Sequence, residues 1–180
     1  MNSRVLVLGA GGRLGHKAAE AFRDAGWTVT SLVRPGRAAR VPAGTQPIEV
    51  DALDHAAVST AARGADVILH ALNPFYTDWS RLALPLAYSA ITAAEATGAT
   101  LMFPGNLYNY GSPMPPVIDE TTPMRPSSRK GQMRVAMEDR MAKPPNAACA
   151  RSFCAPEISM AADADHGSIS CCSRRSAAAA

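Results

Sequence analysis

The sequence predicts an α/β fold, a doubly wound parallel sheet, and three observations carry that prediction. Arg4-Val5-Leu6-Val7-Leu8 is an apolar β-type run that stops at a glycine cluster, Gly9-Ala10-Gly11-Gly12, and a helical spacing of apolar residues (Ala18, Ala19, Phe22) starts directly after it. Strand-like and helix-like segments then alternate as far as about Met141, the pattern of a parallel sheet covered by crossover helices. A second run, Ala65-Asp66-Val67-Ile68-Leu69-His70, is apolar on both faces, as a central parallel strand buried under helices must be.

Composition narrows the function classes. The 180 residues, 47% hydrophobic and 18% charged, suffice for one domain with its own core. A net charge of +3 is too small to single out nucleic acid or a membrane as partner, and no basic run with interleaved aromatics appears. No apolar stretch approaches the roughly 20 residues of a membrane span. Met1 leads straight into the first strand without a signal-peptide pattern, so a cytoplasmic location is expected. A small molecule is the expected partner, and oligomeric state is left open. Cys149, Cys154, Cys171 and Cys172 all lie in the last stretch of the chain. The adjacent pair beside His166 is not zinc-site spacing, and no metal is expected.

The first strand, the glycine cluster and the first helix together form a phosphate-binding pattern. Gly9 permits the tight turn, Gly12 leaves room for a pyrophosphate against the backbone, and Gly15 lets the helix pack closely on the strand. The N–H groups of the first helical turn, with Gly11, Arg13 and Leu14 among the turn residues, then face the anion along with the positive end of the helix dipole. A dinucleotide is the expected ligand.

Gly26-Trp27-Thr28-Val29-Thr30-Ser31-Leu32-Val33 reads as a glycine stop followed by a β-rich second strand. An NAD site usually places an acidic residue at its end to accept from the ribose 2′-OH. Here the residue is Arg34, followed by Pro35, Gly36 and Arg37. A guanidinium suits a 2′-phosphate, so NADP is expected over NAD; a solvated loop charge is the other reading of Arg34. Gln46–Asp51 is the third strand, and Leu53 through Ala62 a modest helix. Asp54 is its better N-cap, which leaves Asp51 for another role. The fourth strand exits through Ala71-Leu72-Asn73-Pro74, with Ala71 and Asn73 expected beneath the cofactor; His70 at its end reads as packed. A helix from Asp78 to Thr97 follows, ended by Gly98 and interrupted or kinked by Pro85. Ala99–Phe103 is the fifth strand. A proline-rich loop from 112 to 127 comes next, and a helix from near Ser128 carries Lys130, Arg134 and Glu138. The expected strand order is 3-2-1-4-5.

The spacing Gly9-x-x-Gly12-x-x-Gly15, Asp51, the 65–71 strand, Leu107-Tyr108, and Glu120…Pro123…Pro126 ahead of a helix are similar to the NAD-dependent epimerase/dehydratase group of extended and atypical short-chain dehydrogenase/reductases. The resemblance runs from Arg4 to about Met141. It implies a Rossmann-type NAD(P)-binding domain over 1–141, Asp51 on the adenine amino group, and a sugar nucleotide or related hydroxylated small molecule as substrate. It also implies catalysis by a Ser/Thr after the fifth strand and a Tyr-x-x-x-Lys on the next helix. Counting back from Glu138, the Tyr and Lys positions hold Lys130 and Arg134, and the Ser/Thr position holds Pro104. Lys130 is then expected on a cofactor phosphate or ribose, Arg134 on a substrate anion, and Tyr108 or Tyr110 as an alternative phenol. A non-catalytic nucleotide-binding or redox-sensing module is the competing expectation.

Beyond Met141 the pattern fails. Lys143-Pro144-Pro145 breaks the helix, and the chain ends in Ser176 and four alanines. Read one base out of register, codons permitted for Ala142 to Gly167 can spell a helix end, a strand and the loop the family carries there. Residues 142–180 are therefore expected to be an aberrant, disordered tail on an incomplete copy, its sixth strand missing.

Overall fold

The computed structural model describes residues 2–119, 121–142 and, for backbone only, 151–154. The strands are β1 (Arg4–Leu8), β2 (Thr28–Val33), β3 (Gln46–Glu49), β4 (Val67–His70), β5 (Thr100–Pro104) and β6 (Arg151–Cys154). The helices are α1 (Arg13–Asp24), α2 (His55–Ala61), α3 (Trp79–Thr97) and α4 (Arg129–Ala142). The sheet runs β3-β2-β1-β4-β5-β6 with every neighbouring pair parallel. This is the expected Rossmann-type arrangement.

One departure is at the far edge. The sheet was expected to end at β5, but Leu101–Pro104 pairs in register with Arg151–Cys154. An open β5 edge presents unpaired N–H and C=O groups that a short extended segment satisfies. The rest of the expected 142–180 tail, from residue 143, lies outside the described residues.

Period-two alternation in β1 explains the two-layer core. Val5 and Val7 face α1 with Ala18, Ala19, Val29 and Leu69. Leu6 and Leu8 face the opposite side with Ile68, Ile91, Leu101, Phe103 and Met137, under α2, α3 and α4. Pro85 does not end α3. The carbonyl that it leaves without a donor belongs to Arg81, an exposed residue, and the buried stripe Ala83, Ala87, Ala90, Ile91 and Ala94 holds the helix together.

Candidate nucleotide and substrate site

The turn after β1 has the geometry its glycines predict. Gly9 sits at φ +88°, its N–H donating to the Leu32 carbonyl at 3.1 Å and its own carbonyl accepting from Gly12 at 3.0 Å. A Cβ on Gly15 would run into the Gly9 carbonyl, lying 2.8 Å from its carbon, so the close approach of α1 to β1 requires glycine here. A Cβ on Gly12 would meet only the Gly9 oxygen at 3.4 Å, leaving the space in front of the helix open. Gly12 is the N-cap residue and brings no capping side chain; the first-turn N–H groups of Arg13, Leu14 and Gly15 therefore lack intrahelical partners. A cleft of about 340 Å³ beside this turn is lined by Gly11, Gly12, Arg13, His16 and Lys17. These features fit a pyrophosphate against the helix N-terminus.

Arg34 is exposed at the end of β2. The carboxylate beside this turn, Glu49, is engaged: its Oε1 accepts from the N–H groups of Arg37 and Ala38, both at 2.9 Å. Backbone N–H groups, that of Ala38 foremost, hold its carboxyl below the usual range. Sequence reasoning missed Glu49, whose role follows from β3 lying in register with β2, Val33 opposite Glu49.

Asp54 caps α2, accepting from Ala57 N–H at 3.0 Å. Asp51 is not left wholly free, since its Oδ1 accepts from Leu53 N–H at 3.0 Å; this Asx turn orients the exposed carboxylate. Ala71 closes on the glycine turn, with its carbonyl oxygen 3.0 Å from where a Gly9 Cβ would stand. The Asn73 Oδ1 accepts from Trp79 Nε1 at 3.0 Å, which fixes the loop between β4 and α3. His70 is buried, edge-on to Phe103 at 5.1 Å between centroids. Burial pushes its imidazole down to about 4, and the ring is packed as its place at the strand end suggests.

The two α4 positions part company. Arg134, expected on a substrate anion, is buried. Its guanidinium donates to the Pro104 carbonyl, lies 4.2 Å over the Phe103 ring and stands 3.8 Å from the Glu138 carboxylate. It ties α4 to β5, a packing role that the sequence did not suggest. Lys130 instead faces the loops, its Nζ 3.7 Å above the Tyr76 ring. The Tyr76 and Tyr108 hydroxyls are 3.4 Å apart, and the hydrogen bond with Tyr76 pushes the Tyr108 phenol up. Tyr76 went unnoticed in the sequence because it belongs to neither the glycine turn nor the helix motif. Gly131 permits the approach of α4, since a Cβ there would strike the Tyr108 carbonyl and come within 2.8 Å of Pro126 Cβ.

A parallel sheet with a glycine turn at its first strand and a bare helix N-terminus behind it defines a nicotinamide-nucleotide-binding domain. The chain belongs to the NAD(P)H-binding family, whose model matches residues 9–119. It is similar to the 3-diazoavenalumate denitrifying reductase of a Streptomyces species, with 33% identity over 134 residues, 67% of this chain and 43% of that protein. Among solved structures it resembles a short-chain dehydrogenase/reductase superfamily protein from Agrobacterium tumefaciens with bound NAD, at 23% identity and TM-score 0.65, covering 83% of this chain and 48% of that one. It also resembles the UDP-Glc/GlcNAc 4-epimerase of Campylobacter jejuni, at 20% identity and TM-score 0.70, covering 84% and 52%. At those identities the solved structures show the fold alone. The chain spans about half the length of these relatives. Among the described residues, no helix is long and apolar enough to cross a membrane.

Proposed function

We propose that the chain is the cofactor-binding part of an NADP-linked reductase or epimerase-type enzyme acting on a small hydroxylated or carbonyl compound. The observation that carries this reading is the Gly9–Gly15 turn, where glycine is required at Gly15 and open space is kept at Gly12. In it, Gly12, Arg13 and Leu14 hold the pyrophosphate, Ala71 and Asn73 underlie the nicotinamide ribose, and Asp51 meets the adenine. The bound nucleotide supplies hydride. The sugar-nucleotide class rests on the sequence resemblance, and the Streptomyces relative supports a reductase. The reading of the chain as an incomplete copy rests on the out-of-register coding potential of 142–167, and resequencing codons 138 to 170 tests it.

The preference for NADP follows from Arg34 at the ribose position and from the engagement of Glu49 by Arg37 and Ala38 N–H groups. Arg34→Ala is expected to weaken NADPH at least tenfold and leave NADH within about twofold, read by nucleotide fluorescence. Equal loss for both nucleotides would remove the 2′-phosphate role.

A second reading, a nucleotide-binding or redox-sensing module without turnover, is favoured by one observation. The positions of the Tyr-x-x-x-Lys pair hold Lys130, over Tyr76, and the buried Arg134. Stoichiometric NADPH binding without hydride exchange into any carbonyl substrate would favour it.

A further inference from the structure

We infer that His16 is a positioning residue: its ring pins the Arg40 carbonyl and so holds the cationic 34–40 segment beside the glycine turn, where that segment sets the preference for NADPH over NADH. This deepens the function proposed above and rests on its NADP reading. His16 stands one residue past Gly15 in α1 and lines the cleft beside the turn. Its N–H is already spent on the Gly12 carbonyl at 2.8 Å, so it is not one of the free first-turn donors; what it offers is the imidazole. The Nδ1 atom lies 3.1 Å from the carbonyl oxygen of Arg40, 24 residues further along the chain. A carbonyl only accepts, so Nδ1 carries the proton of this bond, and Nε2 is turned toward the Glu20 carboxylate at 3.7 Å.

Three observations give that bond its weight. First, the segment has no core of its own. The 3-10 turn Ala38–Arg40 buries no residue and has no side-chain cap, so a few polar bonds, rather than apolar burial, hold it in place. Glu49 fixes its start by accepting from the Arg37 and Ala38 N–H groups, and His16 fixes its end. Second, the segment carries Arg34, Arg37 and Arg40, all exposed. Two successive turns space them, Arg37 N–H donating to the Arg34 carbonyl at 3.1 Å and Arg40 N–H to the Arg37 carbonyl at 2.9 Å. Among the described residues, no carboxylate pairs with any of the three. Like charges at this spacing push the segment open when no anion is bound, and a pinned backbone opposes them. Third, the Arg40 stem runs over the turn itself. Its Cβ and the Val33 Cγ1 both stand 3.5 Å from where a Gly11 Cβ would be, so Arg40 and the end of β2, which leads into Arg34, flank the same glycine. Holding the Arg40 carbonyl therefore holds two cations on one side of the turn. Cations already in place give more of their attraction to a phosphate, because ordering a loop and its long side chains on binding uses part of it up.

The test uses the full chain as parent, His16→Ala, His16→Asn and His16→Gln. Each is titrated with NADPH and with NADH by nucleotide fluorescence, and amide hydrogen exchange over residues 34–41 is followed without nucleotide. Alanine is a better helix former than histidine, and melting curves confirm that α1 is kept. His16→Ala is expected to weaken NADPH about fivefold, the scale of one net hydrogen bond, and to leave NADH within about twofold. It should also speed exchange of the Arg40 and Val41 amides several-fold. His16→Asn should restore both properties, because asparagine carries its amide nitrogen on Cγ as histidine carries Nδ1. His16→Gln, with that nitrogen one atom further out, should not. Equal weakening of the two nucleotides would put His16 on the pyrophosphate and overturn the inference. So would NADPH binding undiminished in His16→Ala, or rescue by Gln and not by Asn. A parent that holds NADPH and NADH equally would sink the NADP reading instead. Exchange on the same chains then decides whether His16 holds the segment, and protection unchanged in His16→Ala would overturn that too.

Discussion

Gly12 and Gly15 stand three residues apart in one turn, yet a methyl group means different things at each. At Gly15 it meets the Gly9 backbone, so Gly15→Ala must push α1 off β1, at a cost of about 1–3 kcal/mol. At Gly12 it meets only the Gly9 oxygen at 3.4 Å, and Gly12→Ala should stay within about 1 kcal/mol of the parent. Thermal melting should therefore separate the two variants, while NADPH titration should show both weakened, Gly12→Ala by occupation of the phosphate space alone. A Gly15→Ala chain that melts with the parent would refute the packing argument. His70 provides a second residue-scale prediction. Its folded imidazole is held down to about 4 by burial against about 6.5 in the unfolded chain. The unfolded state thus binds more protons between those values, so stability is full above pH 6.5 and falls toward pH 4, by up to about 3 kcal/mol. His70→Leu should remove that component from a pH series of denaturant melts.

At the scale of the element, what was legible in the sequence had a local cause. Asp54 marks the start of α2 because its side chain reaches Ala57 N–H, and Gly98 marks the end of α3 because it takes the left-handed φ of +72°. Gly98→Ala meets open space, so its whole cost is conformational, about 1 kcal/mol, and NADPH affinity should not change. A loss of several kcal/mol would mean a contact that the open space excludes. Interactions between elements were harder to read. Nothing near Arg134 in the chain shows that the Pro104 carbonyl and Phe103 ring wait for it; spacing alone suggested a substrate contact. Tyr76, likewise, becomes interesting only once β4 and β5 lie side by side and bring it to Tyr108 and Lys130. The glycine turn was readable because all of its parts lie within one strand–turn–helix unit.

At the scale of the whole molecule, strand order follows from the alternation of elements and the right-handed crossover rule, and the order β3-β2-β1-β4-β5 was expected from sequence. The pairing of Arg151–Cys154 with β5 was not, because an edge pairing depends on the free backbone of the neighbour rather than on a strong pattern in the segment itself. The architecture concentrates its chemistry at the carboxyl edge of the sheet: the glycine turn after β1, Arg34 after β2, Asp51 after β3, Asn73 and Tyr76 after β4, and Tyr108 after β5. The ends of β1 to β5 thus bring these groups to one rim, where open α/β sheets take their ligands. The most direct test of that arrangement is titration of the purified full chain with NADPH, beside a Gly12→Glu variant that puts a carboxylate where the pyrophosphate belongs. One nucleotide bound per chain, with binding abolished in the variant while its melting curve is kept, is the predicted result. No saturable binding by the parent, or equal binding by Gly12→Glu, would contradict the assignment of the Gly9–Gly15 turn as the cofactor site.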